Sequence, residues 1–367
     1  MRFRSTVGER ARRGNLARSS TAGERARRSN LARSSIAVAL ASVMFAGAAQ
    51  AQGAQAHTSC TGFTADACQQ AVDFFGYMAP QLGTAMTGGN TTLAQGGNLG
   101  GFRFGLMPRF AVGVRVNAVM GDVPDYNPTS GDPLSDPDNN DPPPAAQNLT
   151  TNKQFVALPS IDAAIGVFGG IPLALSNVGG VDVLLSASYV PKVESDDFSI
   201  LPDKSLAFGY GLRVGILQES LVVPGVGISF LQRKFPVTTL RAVEGSSSVE
   251  VQDLDLKSTA WRLTVSKSLL LFGLAAGVGQ DRYKASTGVA ATVDVPTIGS
   301  QTATVPNLSS NVTRTNYFAD VSMNLFVLKL VGSAGMVSGG DIFTFNNFDQ
   351  APDKSRLYGS VGIRVGL

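Results

Sequence analysis

The feature that most restricts this chain is an alternation of apolar with polar or small residues, repeated along its C-terminal three quarters. In the last stretch, Leu357, Val361, Ile363, Val365 and Leu367 share one parity, while Arg356, Tyr358, Ser360, Gly362, Arg364 and Gly366 share the other. A strand turns successive side chains to opposite faces, so a period of two describes a strand greasy on one side and polar on the other. The same pattern runs through Phe110 to Met120, Ser205 to Ile216, Leu270 to Val278 and Thr315 to Leu325. Weaker copies occupy Ile161 to Phe168, Val181 to Tyr189, Val226 to Arg233, Thr259 to Ser266 and Leu328 to Ser338.

The connections decide what such strands build. Short links lie near Pro108, between Phe168 and Val181, between Leu217 and Val223, around Ser268 and around Val327. Long ones cover Asp122 to Gln154, Pro191 to Lys204, Tyr283 to Val312 and Gly339 to Lys354, with an intermediate link at Arg241 to Ser248. Short and long links alternate strictly, which predicts an all-β transmembrane antiparallel barrel with its long loops outside the cell. A lipocalin-like soluble barrel imitates only part of this sorting. Eleven candidate strands lie between Gly97 and Leu367, the ten above and one before the short link near Pro108. Because single-chain barrels of this kind have even strand numbers, a further strand is expected within Leu82 to Gln95, giving about 12, with 10 to 14 allowed.

The chain divides into residues 1–51, 52–96 and 97–367. The first 51 residues hold ten Arg, two Glu and no Lys, and Ser5 to Ser20 is nearly repeated by Ser20 to Ser35. An apolar run, Ile36 to Ala49, and the small-x-small site Ala49-Gln50-Ala51 follow, as in an extended basic n-region and a cleaved signal peptide. The remaining 316 residues keep 20 of the 30 basic and 25 of the 27 acidic side chains, a formal charge of −5, so the basic balance belongs to the leader and no nucleic-acid partner is expected. Residues 52–96 begin with Cys60 and Cys68, which in an oxidising compartment are expected to form a disulfide. They continue into a helix from Thr64 to Ala79, with Ala71, Phe74, Phe75, Met78 and Leu82 at helical spacing and Pro80 as its stop. This stapled helix is expected to plug or lid the periplasmic mouth.

Chemistry-bearing residues fall mostly on the inward parity: Arg115, Arg213, Arg233, Arg262, Arg314, Arg356 and Arg364, with Asp162, Asp182, Asp281 and Asp320. Facing lipid at mid-membrane, each Arg would cost about 2–4 kcal/mol, so these groups belong in the lumen, either as an ion-pair network bracing the interior or as a polar conduit. Gly209, Gly211, Gly215, Gly225, Gly227, Gly273, Gly277 and Gly279 leave room there for an inserted segment. Trp261, Tyr189, Tyr210, Phe230, Tyr283 and Tyr317 are placed on or near the lipid parity, as interfacial girdles. Asp122 to Gln154 carries six Asp and seven Pro without the spacing of a calcium loop and reads as a solvated loop. The single histidine, His57, leaves no positioned base for a nucleophile and no full metal set, so neither catalysis nor a cofactor is expected.

In outline the chain resembles the FadL-like long-chain fatty-acid transporters of the outer membrane. The likeness is one of architecture over Gln52 to Leu367. The family's Asn-Pro-Ala box is matched only by Tyr126-Asn127-Pro128-Thr129, and Leu367 replaces the usual aromatic terminus. The resemblance implies an N-terminal plug and passive passage of small compounds, hydrophobic ones included. The expected setting is the outer membrane of a Gram-negative-type bacterium, with both mature termini periplasmic and with membrane lipids and the barrel-assembly machinery as partners. A sealed structural or surface-interaction barrel and a general polar porin are the alternatives.

Overall fold

In the computed structural model the described residues are 55–91, 94–103, 107–125, 144–173, 175–195, 198–295 and 298–366. The expected leader, its cleavage site, Tyr126 to Thr129 and Leu367 lie outside them. Ten long strands form one closed ring. They are β1 (Phe110–Pro124), β2 (Thr151–Phe168), β3 (Gly180–Tyr189), β4 (Leu206–Leu217), β5 (Gly225–Lys234), β6 (Ser247–Leu269), β7 (Phe272–Val295), β8 (Gly299–Leu325), β9 (Leu328–Ser338) and β10 (Arg356–Gly366). Each strand pairs antiparallel with the next in sequence, and β10 closes on β1 from Tyr358 against Val119 to Gly366 against Ala111. Closure leaves the ring without an edge.

Ten lies within the expected range and below the estimate of 12. Two features account for the difference. The described residues between 97 and 108 supply no wall strand, only a two-residue ladder of Phe102–Arg103 with Met107–Pro108. Leu82 to Thr87, expected to begin a strand, belongs to the helix α1 (Ala65–Thr87), which runs through Pro80 rather than ending there. Proline removes one helical hydrogen bond, at a cost of about 3 kcal/mol in an exposed helix. Here 18 of the 23 residues of α1 are buried, so packing on all sides holds the helix together across that gap.

A second departure concerns the link expected at Tyr283 to Val312. It is no loop: β7 and β8 stay paired from Phe272 opposite Met323 up to Val295 opposite Gly299. The alternation simply continues there in Ala, Val and Thr. Together with the upper part of β6 and the short strands Phe198–Pro202 and Thr238–Glu244, these ends form a sheet standing above the ring. Register shifts at Gln252/Asp255 on β6 and Thr287/Val289 on β7 mark where it begins, and such bulges bend a sheet. Its inner face, with Val249, Val251, Leu254, Leu256, Val289, Ala291 and Val305, forms one apolar cluster with Cys60, Ala67, Cys68, Ala71, Phe75 and Ala79 of the N-terminal segment.

Outside the ring the even positions of β1 (Phe110, Val112, Val114, Val116 and Met120), with Leu206, Phe208, Tyr210, Leu212, Val214 and Ile216 of β4 and Leu357, Val361 and Ile363 of β10, are exposed. No helix among the described residues is long and apolar enough to cross a membrane.

Candidate functional site

The site is the interior of the ring, and the N-terminal segment fills it. Expected at the short-turn mouth, α1 instead starts at the long-loop end and descends, and residues 94–101 lie toward the short-turn end. Contacts fix the direction. Near its start, Asp66 accepts a hydrogen bond from the backbone N–H of Ala145 (2.9 Å), and Tyr77 donates to the carbonyl of Gln350 (2.9 Å), both in long links. Further down, Gln81 exchanges hydrogen bonds with the backbone of Asp122 on β1 (2.9 and 3.0 Å). At the far end, Gly96 donates to Ser266 Oγ (2.8 Å), close to the β6–β7 turn.

At the long-loop end Cys60 and Cys68 are joined, with their Cα atoms 5.4 Å apart. His57 lies beside this bridge, its backbone N–H donating to Gln69 Oε1 (2.7 Å). Asp73 accepts from the backbone N–H groups of Phe345 (3.0 Å) and Asn346 (2.8 Å) and from the side chains of Asn346 (2.8 Å) and Gln69 (3.2 Å). These bonds tie the β9–β10 link to the helix. Burial outweighs them and pushes the Asp73 carboxyl up to about 6. Below it, Tyr77 packs on Phe348 with ring centroids 4.6 Å apart and accepts from Arg356 Nη2 (3.1 Å).

At the middle level the last carbonyls of α1, which no intrahelical donor can reach, meet side chains of the wall. Asn117 Nδ2 donates to the Ala85 carbonyl (3.3 Å), Arg233 Nη1 to Met86 (3.1 Å), Arg262 Nη2 to Thr87 (3.3 Å) and Arg115 Nη1 to Gly88 (2.6 Å). Three cations therefore sit at the negative end of the helix dipole, where positive charge is stabilising. Each is also paired with a carboxylate. Arg115 Nε and Arg233 Nη2 share Asp162 (2.5 and 3.3 Å), and Arg262 Nη1 meets Asp281 (2.6 Å). Asp281 further accepts from Thr87, Tyr283 and Asn316, and Asp320 accepts from Asn90 Nδ2 (3.0 Å).

At the short-turn end Arg213 bonds Asp182 through Nε (2.8 Å) and Nη2 (2.6 Å) and reaches the Gln95 carbonyl (3.1 Å). Both Asp182 oxygens accept from the Leu99 N–H at 3.1 Å. Arg364 bonds Gln95 Oε1. Backbone meets backbone here: a Cβ on Gly96 would stand 2.7 Å from the Gly225 carbonyl, so only glycine fits. Of the eight inward glycines, Gly215, Gly225 and Gly227 face this segment. Others clear space for wall side chains, as Gly209 does for Arg233 and Gly273 for Ser322.

All seven arginines and four aspartates singled out in the sequence point inward. Arg314 and Arg356 stand apart from the middle group, toward the β9–β10 link: Arg314 Nη2 donates to the Pro352 carbonyl (3.0 Å), and Arg356 pairs with Asp122. Asp122, placed in a solvated loop by the sequence, is 2% exposed and also meets Lys354 Nζ (2.7 Å). Tyr283 is likewise inward and 2% exposed, against its expected lipid parity. It shares the parity of Asp281, two residues earlier, a signal the sequence did carry. Its ring lies against Gly83, where a Cβ would come within 2.5 Å of Cδ1. Trp261, Tyr189, Tyr210 and Phe230 face outward.

Beside the lower part of the segment little space is left, whereas a pocket of about 260 Å³ lies at the long-loop end among Asp73, Phe75, Leu308 and Ile342. The pocket among Thr91, Asp162, Arg213 and Arg364 holds about 10 Å³, around the volume of one water. An apolar pocket between Phe74, Leu149, Leu240 and Phe348 holds about 20 Å³. Among the described residues no group of three or more His, Cys, Asp or Glu is placed to hold a metal.

No protein-family model and no curated protein matches this chain. Among solved structures, the outer membrane channel DcaP of Acinetobacter baumannii aligns at 9% identity over 73% of this chain and 100% of its own, with a TM-score of 0.18. The outer-membrane expressed OmpT of Vibrio cholerae aligns at 10% identity over 70% and 97%, with a TM-score of 0.16. Likenesses this slight transfer nothing to the chain, and its reading rests on its own geometry.

Proposed function

We propose that this chain is an outer-membrane β-barrel closed by its own N-terminal segment, with its long-loop end acting as a surface platform rather than the mouth of an open pore. The closed ring, the apolar outer face and the sorting of short turns from long links support the membrane setting, with the long links outside the cell. The start of α1 then lies on the outer side, and the C-terminal strand ends on the periplasmic side. Folding would call on the barrel-assembly machinery, as for other barrels of this setting.

The observation that carries the closed state is the bonding of four consecutive carbonyls, Ala85 to Gly88, by side chains from β1, β5 and β6. In an open conduit those cations would face water and passing solute. Here they are spent on the helix end and on Asp162 and Asp281, and freeing them would leave buried charges unpaired. Passive passage of small compounds, hydrophobic ones included, would require displacement of residues 94–101, because the space near Gln95, Arg213 and Arg364 accommodates about one water. This reading assigns the chain no catalytic role and no cofactor.

Conductance in planar bilayers tests it. The intact protein should insert without a steady current. A constant, ohmic conductance at each insertion would reject the closed barrel and restore the transport reading.

A further inference from the structure

The short-turn end of the barrel has an unusual composition. Hairpin turns that end in water are built of Gly, Asn, Asp and Ser, which tolerate positive φ and keep the tip polar. All four turns here expose apolar side chains, although the two longer links also hold Ser176 and Asn177, and Gln218, Glu219 and Ser220. Leu173 and Leu175 cap the β2–β3 link and Leu221 and Val222 the β4–β5 link. Leu270 and Leu271 form the whole β6–β7 turn, and Phe326 and Val327 the whole β8–β9 turn. Leu221, Leu270 and Phe326 are more than 90% exposed. Leu270 (φ 50°) and Phe326 (φ 57°) also occupy the left-handed region, where a bulky residue is strained and Gly or Asn would be at ease. Backbone comfort and solubility both argue against these residues, so their side chains must gain elsewhere.

The wall shows where. Trp261 and Tyr317 lie nine residues above Leu270 and Phe326 along β6 and β8, and beyond them the outward positions turn polar: Thr259 and Lys257 on β6, Thr315 and Thr313 on β8. Nine residues of a tilted strand rise roughly 23 Å at about 3.3 Å per residue and about 40° of tilt, close to the ~25 Å apolar band of such barrels. The apolar outer face therefore extends down to the turn tips, broken on β6 only by Lys267, whose Nζ is bonded to the carbonyls of Ser220 and Leu221 (2.7 Å each).

Resting on the outer-membrane reading above, we infer that the four short turns are lipid anchors, their Leu, Val and Phe tips sunk into the inner-leaflet phospholipid. The barrel then ends within the leaflet, and its periplasmic end face is covered by lipid rather than by water, a second copy or a protein partner.

Fluorescence quenching tests this, because Trp261 is the sole tryptophan. Wild type and the double variants Trp261→Phe/Leu270→Trp and Trp261→Phe/Phe326→Trp are reconstituted in phosphatidylcholine vesicles brominated at defined chain depths, with iodide on both sides. Circular dichroism checks that each barrel has assembled. Bromines near the headgroup end should remove at least as large a share of tip emission as of Trp261 emission, while iodide removes little. Strong iodide quenching of the tips without bromine quenching, with Trp261 still quenched by bromine, would overturn the anchors and leave the membrane reading intact. Tips shielded from both quenchers would also overturn them, in favour of end-to-end pairing of copies. Escape of Trp261 itself from bromine would sink the membrane reading and the anchors together.

Discussion

The two halves of α1 are held by different physics. From Ala65 to Ala79 the helix is bound by apolar burial against the extended ends of β6, β7 and β8, by the Cys60–Cys68 bridge and by the hydrogen bonds of Asp73. From Gln81 to Thr87 apolar contacts of Leu82, Ala85 and Met86 are joined by polar anchors, and the last carbonyls rest on Asn117, Arg115, Arg233 and Arg262. Apolar burial is non-directional and roughly proportional to area, so most upper-half contacts tolerate small shifts, and only the bridge and the Asp73 hydrogen bonds fix points along it. Hydrogen bonds to buried charges are directional and costly to leave unmade. The upper half supplies attachment, and the lower half fixes position and, on the reading proposed above, closes the lumen.

The largest expected effect tests the lower half. Arg262→Ala removes one cation from the helix end and strands Asp281 in the interior, which should cost about 3–5 kcal/mol. The folded band on unheated gels should melt at lower temperature, and steady or flickering conductance should appear. A variant that loses stability yet stays electrically silent would show that the polar half does not close the lumen.

Next comes pH, acting on the upper half. With the folded Asp73 carboxyl near 6 against an ordinary 3.8, the fold favours its protonated form. The extra stability is present below about 4 and is lost as pH rises through about 6, an amplitude of up to ~3 kcal/mol. Hydrogen exchange of the backbone N–H groups of Phe345 and Asn346 should therefore be slower at pH 4 than at pH 7, after correction for intrinsic rates. Asp73→Asn should flatten that difference. An equal dependence in the variant would remove Asp73 as its source.

The smallest effect should come from replacing Cys60 and Cys68 together by Ala. The bridge closes a loop of sequence separation 8, and its loss should cost about 2–3 kcal/mol by chain entropy. The change should appear as faster proteolysis of residues 55–64, while conductance stays absent. Channel opening on loss of the bridge alone would mean that the two halves are not independent.

Much of the wall was legible beforehand because strand parity is a local property. Arg115 between Val114 and Val116 must face away from both, whatever the rest of the chain does, and the same holds for Asp182 and Arg213. Parity failed where elements leave the regular wall: Asp122 is enclosed by Lys354 and Arg356 from a distant link. The Tyr283 to Val312 segment read as a loop because its residues are small and polar, although its alternation persists. Pro80 misled as a helix stop because its cost is set against burial on every side, which no local rule records. Nothing in residues 52–96 names the carbonyls or carboxylates to which they bind.

By itself, then, the sequence determined an antiparallel barrel, which side chains face inward, and an N-terminal segment free to fill the space. Each follows from spacing along a few neighbouring residues. Only the tertiary structure decided that ten strands close the ring, that the helix enters from the long-loop end, and that its last carbonyls meet three arginines. Those outcomes depend on contacts between residues far apart in sequence, where closure geometry and the cost of unpaired buried charge select one arrangement among many of equal local merit.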